Sequence, residues 1–213
     1  LQMRSMGGAG VAMRSVSTVN LLNPAAYSAA PQKTFLFNFG LEGQNYYNSQ
    51  TVAGQSKSTA YNTFNFHDIA FQLPLARRLG LGFSLTPYSS VGYRVSADEQ
   101  SDDVWGNIGR VQYLYAGEGD LTEVKLGIGW EVVKRVSIGV AAQYYWGDIE
   151  RTYQTVVSNN IVNGGSVNTV TGTDSYGISR IKMQLGLQAD LIQSERQVLT
   201  LGATYDMGGN LRP

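Results

Sequence analysis

The feature that most constrains this chain is an alternation of apolar and polar residues with a period of two. From residue 180 to residue 191 every second residue is apolar, and the residues between them are polar or Gly. Successive side chains of a β-strand point to opposite faces, so a segment of this kind separates two different environments. The pattern therefore predicts an all-β fold.

The same alternation recurs along the chain and predicts seven strands. They cover residues at about 34–48, 59–73, 79–95, 109–132, 136–150, 177–192 and 197–207. Within the second segment the apolar phase shifts, and a β-bulge near His67 and Asp68 would account for the shift. Several of the predicted strands have about 15 residues or more, whereas strands of globular proteins usually have about 5–6.

The predicted connections alternate between short and long. Short connections fall at 74–78, 133–135 and 193–197, and long polar ones fall at 49–58, 96–108 and 151–176. Of the 13 tyrosines, all except Tyr27 lie toward the ends of strands that the long connections join, or just beyond them. Tyr favours a boundary between apolar and aqueous surroundings. This combination is typical of a transmembrane β-barrel.

Composition narrows the classes of function. Lys and Arg number 16 and Asp and Glu number 16, so the formal net charge is zero and nothing attracts nucleic acid electrostatically. The absence of Cys and the single His exclude thiolate and multi-His metal sites. The strands of a soluble antiparallel sandwich also alternate apolar and polar residues. The outer faces of a sandwich would carry an ordinary density of charge, however, and only 15% of the residues in this chain are charged.

No catalytic or metal site is predicted. His67 and Asp68 are adjacent on a strand, where neighbouring side chains point to opposite faces, so they are not expected to act as a base and its orienting group. The carboxylate pairs at 98–99 and 102–103 lie in a polar connection, and their spacing matches no known calcium-binding loop. We therefore expect a protein that is not an enzyme and needs no cofactor.

Residues 1–33 do not alternate and are rich in small residues. Small residues and an Asn-Pro turn favour a compact, irregular segment that packs closely against another element. It is not a phosphate-binding loop, because it contains no Gly-Lys-Ser/Thr sequence. The motif residues of this segment are Gly7, Gly8, Gly10, Asn23, Pro24 and Ala25.

The N-terminal segment also carries a family resemblance. The stretch from Arg4 to Gly10, followed by the stretch from Leu22 to Tyr27 and a first amphipathic strand, resembles the start of FadL-type outer-membrane transport proteins. It is especially similar to the group found in Bacteroidetes. The stretches 115–121, 126–130 and 136–140 are similar to the same group, so the resemblance spans most of the chain.

The resemblance implies an antiparallel transmembrane β-barrel of about 14 strands in the outer membrane of a Gram-negative bacterium. Residues 1–33 would form a hatch inside it, and residues 34–213 would form the first half of the wall. Seven strands alone would leave an unpaired sheet edge in lipid, so residues 1–213 are expected to be part of a longer chain. The implied function is passive uptake of hydrophobic small molecules, such as long-chain fatty acids or aromatic compounds. The partners would then be outer-membrane lipid and a hydrophobic ligand.

A non-transporting barrel is the alternative. The same fold can serve as a docking partner for another outer-membrane protein in secretion or surface assembly, and the fold alone does not decide between the two functions. A continuous apolar pocket reaching the hatch would favour transport. A filled interior would favour docking.

Two further sets of residues belong to the predicted barrel. Polar residues of both charge signs are expected to face the lumen, and mixed charge suits a hatch held by ion pairs better than a selective ion pore. A Gly-rich stretch at 117–120 interrupts a predicted strand, either as an ordinary bulge, which we favour, or as a kink that opens the wall. The lumen-facing set is Glu123, Lys125, Glu131, Arg180, Lys182 and Asp190, and the kink set is Gly117, Glu118, Gly119 and Asp120.

Overall fold

The computed structural model describes residues 7, 9–52, 55–99, 101–158, 167–194 and 197–209. It is an antiparallel, all-β protein in which one seven-stranded sheet holds the strands in sequence order. A 3-10 helix at Pro24–Ala29 precedes the sheet, and a short helix α1 at Asp102–Asn107 connects the third and fourth strands. The strands are β1 (Leu36–Val52), β2 (Gln55–Ala76), β3 (Leu79–Asp98), β4 (Arg110–Val133), β5 (Val136–Ser158), β6 (Val167–Gln193) and β7 (Val198–Asp206).

The seven predicted strands are confirmed, and the short connections lie where they were predicted. Two of these connections are the pairs Arg77-Arg78 and Lys134-Arg135. The second residue of each pair has a left-handed backbone, with φ of 69° at Arg78 and 74° at Arg135. A residue with a left-handed backbone is common in short hairpin connections, where it helps the chain to reverse direction. Among the described residues, no helix is both long enough and apolar enough to cross a membrane.

The prediction of a long connection at 49–58 was wrong. Strands β1 and β2 remain paired until Val52 lies opposite Gln55. Similarly, β5 continues to Ser158 and β6 begins at Val167, so much of the predicted connection 151–176 is strand. Apolar alternation stops where both faces of a hairpin meet solvent, but the backbone hydrogen bonds do not need it. The sequence pattern therefore marks the apolar part of each strand and not its ends.

The predicted bulge in β2 is confirmed. Gly40 pairs with Asp68 and Leu41 pairs with Phe66, so His67 is the extra residue. The expectation that His67 and Asp68 point to opposite faces was wrong, because His67 Nδ1 contacts Asp68 Oδ1. A bulge breaks the alternation of side chains at that point, which brings these two neighbours together.

The described chain divides into two compact units. Unit 1 comprises Leu1–Pro87, Glu123–Tyr144 and Ile181–Gly209, and it contains the N-terminal segment and the 3-10 helix. Within the described residues, unit 2 comprises Tyr88–Thr122 and Tyr145–Arg180, and it contains α1. The candidate site described below lies entirely within unit 1.

In the sheet of unit 1 the buried face is polar and the exposed face is apolar, which is the reverse of the arrangement in a water-soluble protein. On β4, Glu123 and Lys125 are only 8% and 5% exposed, whereas Leu126 is 50% exposed. Water-soluble proteins bury such apolar residues, and a large exposed apolar surface marks contact with a membrane or another protein. The exposed apolar residues of unit 1 include Phe35, Phe37, Phe39, Leu126, Ile128, Trp130, Ile138, Val140, Ile181, Met183, Leu185, Leu187, Leu199 and Leu201.

Candidate functional site

The candidate site is the contact between the N-terminal segment, residues 9–33, and the polar face of the unit 1 sheet. The 3-10 helix forms its centre, and residues 24–28 are all buried. Asn23 caps this helix, since its Oδ1 accepts a hydrogen bond from the Ala25 N–H at 3.0 Å. Pro24 suits the first helical position because its missing N–H would have no partner there. The Asn-Pro-Ala sequence therefore specifies the start of the helix locally.

The Asn23 amide also ties the segment to the sheet. This side chain is fully buried, and its Nδ2 donates to the carbonyl oxygens of Val11 at 2.8 Å and Leu187 at 3.0 Å. One side chain thus caps the 3-10 helix, holds the preceding loop and contacts β6. A buried amide with these partners makes most of the hydrogen bonds available to it.

A second buried amide folds the segment on itself. Asn20 Nδ2 donates to the carbonyl oxygens of Gly10 and Met13, both at 2.8 Å. Its Oδ1 accepts from the Leu22 N–H at 2.8 Å. The backbone N–H and C=O groups of an irregular segment are not paired in a helix or a sheet. Buried side-chain amides therefore supply their hydrogen-bond partners.

Glutamines of the sheet supply further donors to the segment. Gln188 Nε2 on β6 donates to the Val11 carbonyl at 2.8 Å, and Gln72 Nε2 on β2 donates to the Tyr27 carbonyl at 3.0 Å. Both glutamines are at most 1% exposed. Two separate strands therefore hold the loop and the helix of the segment in place.

A buried ion pair lies beneath the segment. Lys125 Nζ is 3.5 Å from Glu123 Oε1 and donates to the Leu21 carbonyl at 2.7 Å and to Gln184 Oε1 at 3.2 Å. Buried charges are costly unless they are paired and hydrogen-bonded. The segment contributes one of the partners that satisfy this ammonium group, so the ion pair and the segment stabilise each other.

A second polar cluster holds the beginning of the segment. Arg14 Nη1 donates to Ser137 Oγ at 2.8 Å and lies 3.8 Å from Asp190 Oδ2. Ser137 is fully buried and also lies 2.9 Å from Ser28 Oγ. Thr200 Oγ1 donates to Asp190 at 2.7 Å. Residues from β5, β6 and β7 therefore converge on the segment.

Glycines on the strands mark where the segment touches the sheet. A Cβ atom at Gly82 would lie 2.5 Å from a carbon of the Tyr27 ring, and one at Gly129 would lie 2.5 Å from the Pro24 carbonyl oxygen. Glycine in a strand often marks such close approach of another element. The same holds at Gly80, Gly127, Gly139, Gly186 and Gly202, which complete a glycine footprint under the segment.

The predicted motif residues of the segment lie largely in this contact. Asn23, Pro24 and Ala25 are at most 2% exposed, and Gly10 contributes a carbonyl acceptor for Asn20. Gly7 has a left-handed φ of 69° with open space around it. Gly8 lies outside the described residues.

Most of the predicted lumen-facing residues lie on the face that carries the segment. Lys182 is half-buried, and Arg180 is exposed and belongs to unit 2. The residues that touch or flank the segment are Glu123, Lys125, Glu131 and Asp190. The neutral polar residues of the site were missed, although their signal was the recurrence of amides and hydroxyls at inward positions of the strands. They are Asn20, Gln72, Ser137, Gln184 and Gln188.

Strand β4 runs through the stretch at 117–120. Gly119 has a φ of 143°, and Gly147 on β5 has a φ of 153°. A Cβ at either glycine would overlap a carbonyl oxygen, of Asp148 and of Asp120 respectively. The glycines allow the two strands to approach closely. The favoured bulge and the alternative kink at 117–120 both stay predictions.

A cavity of about 1020 Å³ opens beside the segment. Charged side chains of the segment and of the strand ends border it, among them Arg14, Glu131 and Asp190. This lining differs from the continuous apolar pocket that uptake of a hydrophobic ligand would need. Among the described residues, no group of three or more His, Asp or Glu side chains is placed to hold a metal ion.

The Tyr27 hydroxyl provides a test of the packing. Tyr27 is fully buried, and within the described part of the chain its Oη has no hydrogen-bond partner. Burial raises the pKa of this phenol, and the charge of Glu123 raises it further. Removal of an unsatisfied buried hydroxyl should be neutral or stabilising, so we expect Tyr27→Phe to raise the free energy of unfolding by up to about 1 kcal/mol.

The measurement is the midpoint of thermal unfolding of the full chain in detergent, monitored by near-UV circular dichroism. Tyr47→Phe is the matched control, because Tyr47 is 70% exposed and its hydroxyl carries no desolvation cost. A midpoint for Tyr27→Phe below that of the control would contradict the account of an unsatisfied hydroxyl.

Comparison with known proteins assigns a family. A family model described as BamG matches residues 1–213. No curated protein and no solved structure matches the chain. The resemblance to FadL-type transport proteins was therefore wrong, and the prediction of fatty-acid or aromatic uptake falls with it.

The physical reason for this error lies in the motifs. Short Gly-rich stretches and an Asn-Pro turn report how closely a segment packs on a sheet, and unrelated functions share that geometry. The family match supports the bacterial outer membrane as the location of the protein. The chain belongs to the BamG family, which is related to the BAM complex of the outer membrane.

Proposed function

We propose that this protein is a docking partner in the BAM outer-membrane assembly machinery and does not act as a channel. The single observation that carries the proposal is that the N-terminal segment is fixed on the polar face of the sheet. The family assignment supports the same function. The proposal requires no catalytic residue and no cofactor.

The fixed segment argues against passage of a solute along this face. At the glycine footprint the 3-10 helix approaches the sheet so closely that a single methyl group at Gly129 would collide with it. Buried hydrogen bonds from Asn23, Gln72 and Lys125 hold it there. A transport path would require these contacts to break together, whereas a docking scaffold gains rigidity from them.

The exposed apolar face fits a surface in contact with lipid. Side chains such as Leu126, Trp130 and Met183 are 44–50% exposed on strands whose opposite face is polar. We propose that these strands cross the outer membrane as part of a multi-pass β-barrel, with residues 1–33 as an internal plug and residues 34–213 in the wall. A membrane-spanning strand needs only about 9–11 residues, so β4 with 24 residues would extend beyond the hydrocarbon layer.

Exposed tyrosines support the same orientation. Tyr47 on β1 is 70% exposed and lies in phase with the apolar residues Phe37 and Phe39. Tyr144 on β5 is 41% exposed and lies in phase with Ile138 and Val140. Tyrosine suits the boundary between lipid and water. Their positions predict that the apolar band ends near these residues.

The proposal is tested by purification from native outer membranes. The full-length protein with an affinity tag is expressed at its natural level, briefly cross-linked, extracted in mild detergent and captured. We expect components of the BAM complex to elute with it in comparable amounts. The control is an unrelated outer-membrane β-barrel with the same tag and similar abundance. Equal recovery of BAM components with both proteins would contradict the proposed function.

A further inference from the structure

The cavity beside the N-terminal segment has the features of a protein-binding groove. It lies within unit 1, has a volume of about 1020 Å³ and is bordered by the segment, by the turn Lys134-Arg135 and by Gln193 and Val198 at the ends of β6 and β7. We propose that this turn-end groove binds an extended acidic segment of a protein partner. This inference rests on the proposed function, because it identifies the surface through which the protein docks.

The acidic groups that line the groove are already engaged. Asp190 accepts a hydrogen bond from Thr200 and pairs with Arg14. Glu131 Oε1 accepts from the Arg135 backbone N–H at 3.1 Å. The Arg14 guanidinium is likewise occupied, since it donates to Ser137. Arg14 thus offsets the charge of Asp190, whereas Glu131 keeps its charge, so with Lys134 and Arg135 the groups that line the groove carry a net positive charge.

The cationic groups of the rim are not engaged. Lys134 and Arg135 line the groove and are exposed, and in the described part of the chain neither side chain has an ion-pair partner. The turn of Arg77 and Arg78 lies beside them, because the Arg78 carbonyl accepts the Glu131 N–H at 2.9 Å. A protein with zero net charge thus concentrates positive charge at one edge of this groove. Complementary charge steers binding and sets its specificity.

The backbone at these turns supports a role for the side chains. Arg78 and Arg135 both have a left-handed φ, a conformation for which Gly and Asn are the preferred residues. The turn geometry alone would favour those small residues. Arginine at both positions therefore supplies charge against the local conformational preference.

The location of the groove favours a protein ligand over lipid. The groove lies on the polar face of the sheet, together with Glu131 and Asp190, and the apolar side chains that would meet lipid lie on the opposite face. Val16 and Val198 line it and are 65% and 69% exposed, which gives apolar contacts beside the basic rim. An extended segment that carries both acidic and apolar residues matches this surface.

Site-specific cross-linking tests the location of the ligand. A photoreactive amino acid replaces Val198 in the full-length protein in cells, and cross-linked peptides are identified by mass spectrometry. Val170 is the matched control, because it is equally exposed at 69% but lies in unit 2. We expect Val198 to capture a net-negative segment of a BAM component and Val170 to capture none. Capture of lipid alone, or of a segment without net negative charge, would overturn the inference.

Charge removal tests the chemistry. The double variant K134Q/R135N removes both rim charges, and Asn at residue 135 tolerates the left-handed turn. R94Q/R180Q removes two exposed charges in unit 2 as a control. The probe is a fluorescent peptide of alternating Asp and Leu, compared with one of alternating Asn and Leu, in anisotropy measurements on the purified full-length protein. We expect K134Q/R135N to weaken binding of the acidic peptide about tenfold and R94Q/R180Q to leave it unchanged.

The two proposals can fail separately. If BAM components co-purify with the wild-type protein but K134Q/R135N binds the acidic peptide as tightly as wild type, the groove assignment is wrong and the proposed function stands. If the peptide binds in a charge-dependent manner but BAM components do not co-purify with the wild-type protein, the proposed function is wrong.

Discussion

Gly80→Ala is expected to release the N-terminal segment from the sheet. A methyl group at residue 80 would overlap the carbonyl oxygen of Tyr27, which is a backbone atom and cannot rotate away. The same oxygen accepts a hydrogen bond from Gln72, so its displacement also breaks that contact. Overpacking of this kind typically costs about 1–3 kcal/mol, and the lost hydrogen bond adds about 1 kcal/mol.

Proteolysis of the full-length protein in detergent measures this release. Trypsin should cut wild type slowly after Arg14, because that side chain is half-buried and bonded to Ser137. A loss of about 3 kcal/mol would raise the population of the released segment, and with it the cleavage rate, by about a hundredfold. Mass spectrometry follows this one peptide bond. Gly92→Ala is the control on the same strand, since no atom lies within 4 Å of a Cβ there. Equal cleavage of the two variants would refute the predicted clash.

Lys125→Met is expected to lower the free energy of unfolding by about 3–5 kcal/mol. The substitution keeps an apolar stem of similar length but removes the ammonium group that pairs with Glu123. Glu123 would then be a buried charge without its cation, and the Leu21 carbonyl would lose its donor. The loss of stability should appear as a lower urea midpoint for the protein in detergent micelles.

A double variant separates the charge effect from loss of packing. In E123Q/K125M the buried carboxylate is also neutralised, so the double variant should be more stable than Lys125→Met alone. Lys134→Met is the control for removal of an exposed charge, with an expected change within about 0.5 kcal/mol. A double variant that is less stable than Lys125→Met would rule out an uncompensated charge at Glu123 as the cause.

The sequence predicted the sheet well because each strand separates two unlike environments. On β4 the inward residues Glu123 and Lys125 alternate with the exposed Leu126 and Ile128, and the sequence alone shows this contrast. The bulge at His67 was visible for the same reason, as a change of phase. Where both faces of a hairpin are exposed, as in the paired residues from Ser49 onward, this contrast is absent. The sequence therefore does not predict that the strands continue there.

The candidate site was only partly predictable. The local sequence Asn23-Pro24 specifies a helix start, and the segment was expected to pack closely on another element. The partners of Asn23 could not be identified, because its bond to Leu187 joins residues 164 positions apart. No local pattern encodes which strand such an amide will meet. The family assignment depended on the whole chain for a similar reason, since the short motifs describe packing and not function.

The glycine footprint has a consequence for how this protein reaches its folded state. The N-terminal segment precedes the sheet in the chain, but its contacts at Gly186 and Gln188 belong to β6, and Gln188 is 177 positions beyond its partner Val11. A slip of β6 by one residue would present Leu185 and Leu187 to the segment instead of these residues. Neither leucine leaves room for the backbone or donates a hydrogen bond, so the segment could not settle. Docking of the segment therefore acts as a register check that only a correctly paired sheet can pass.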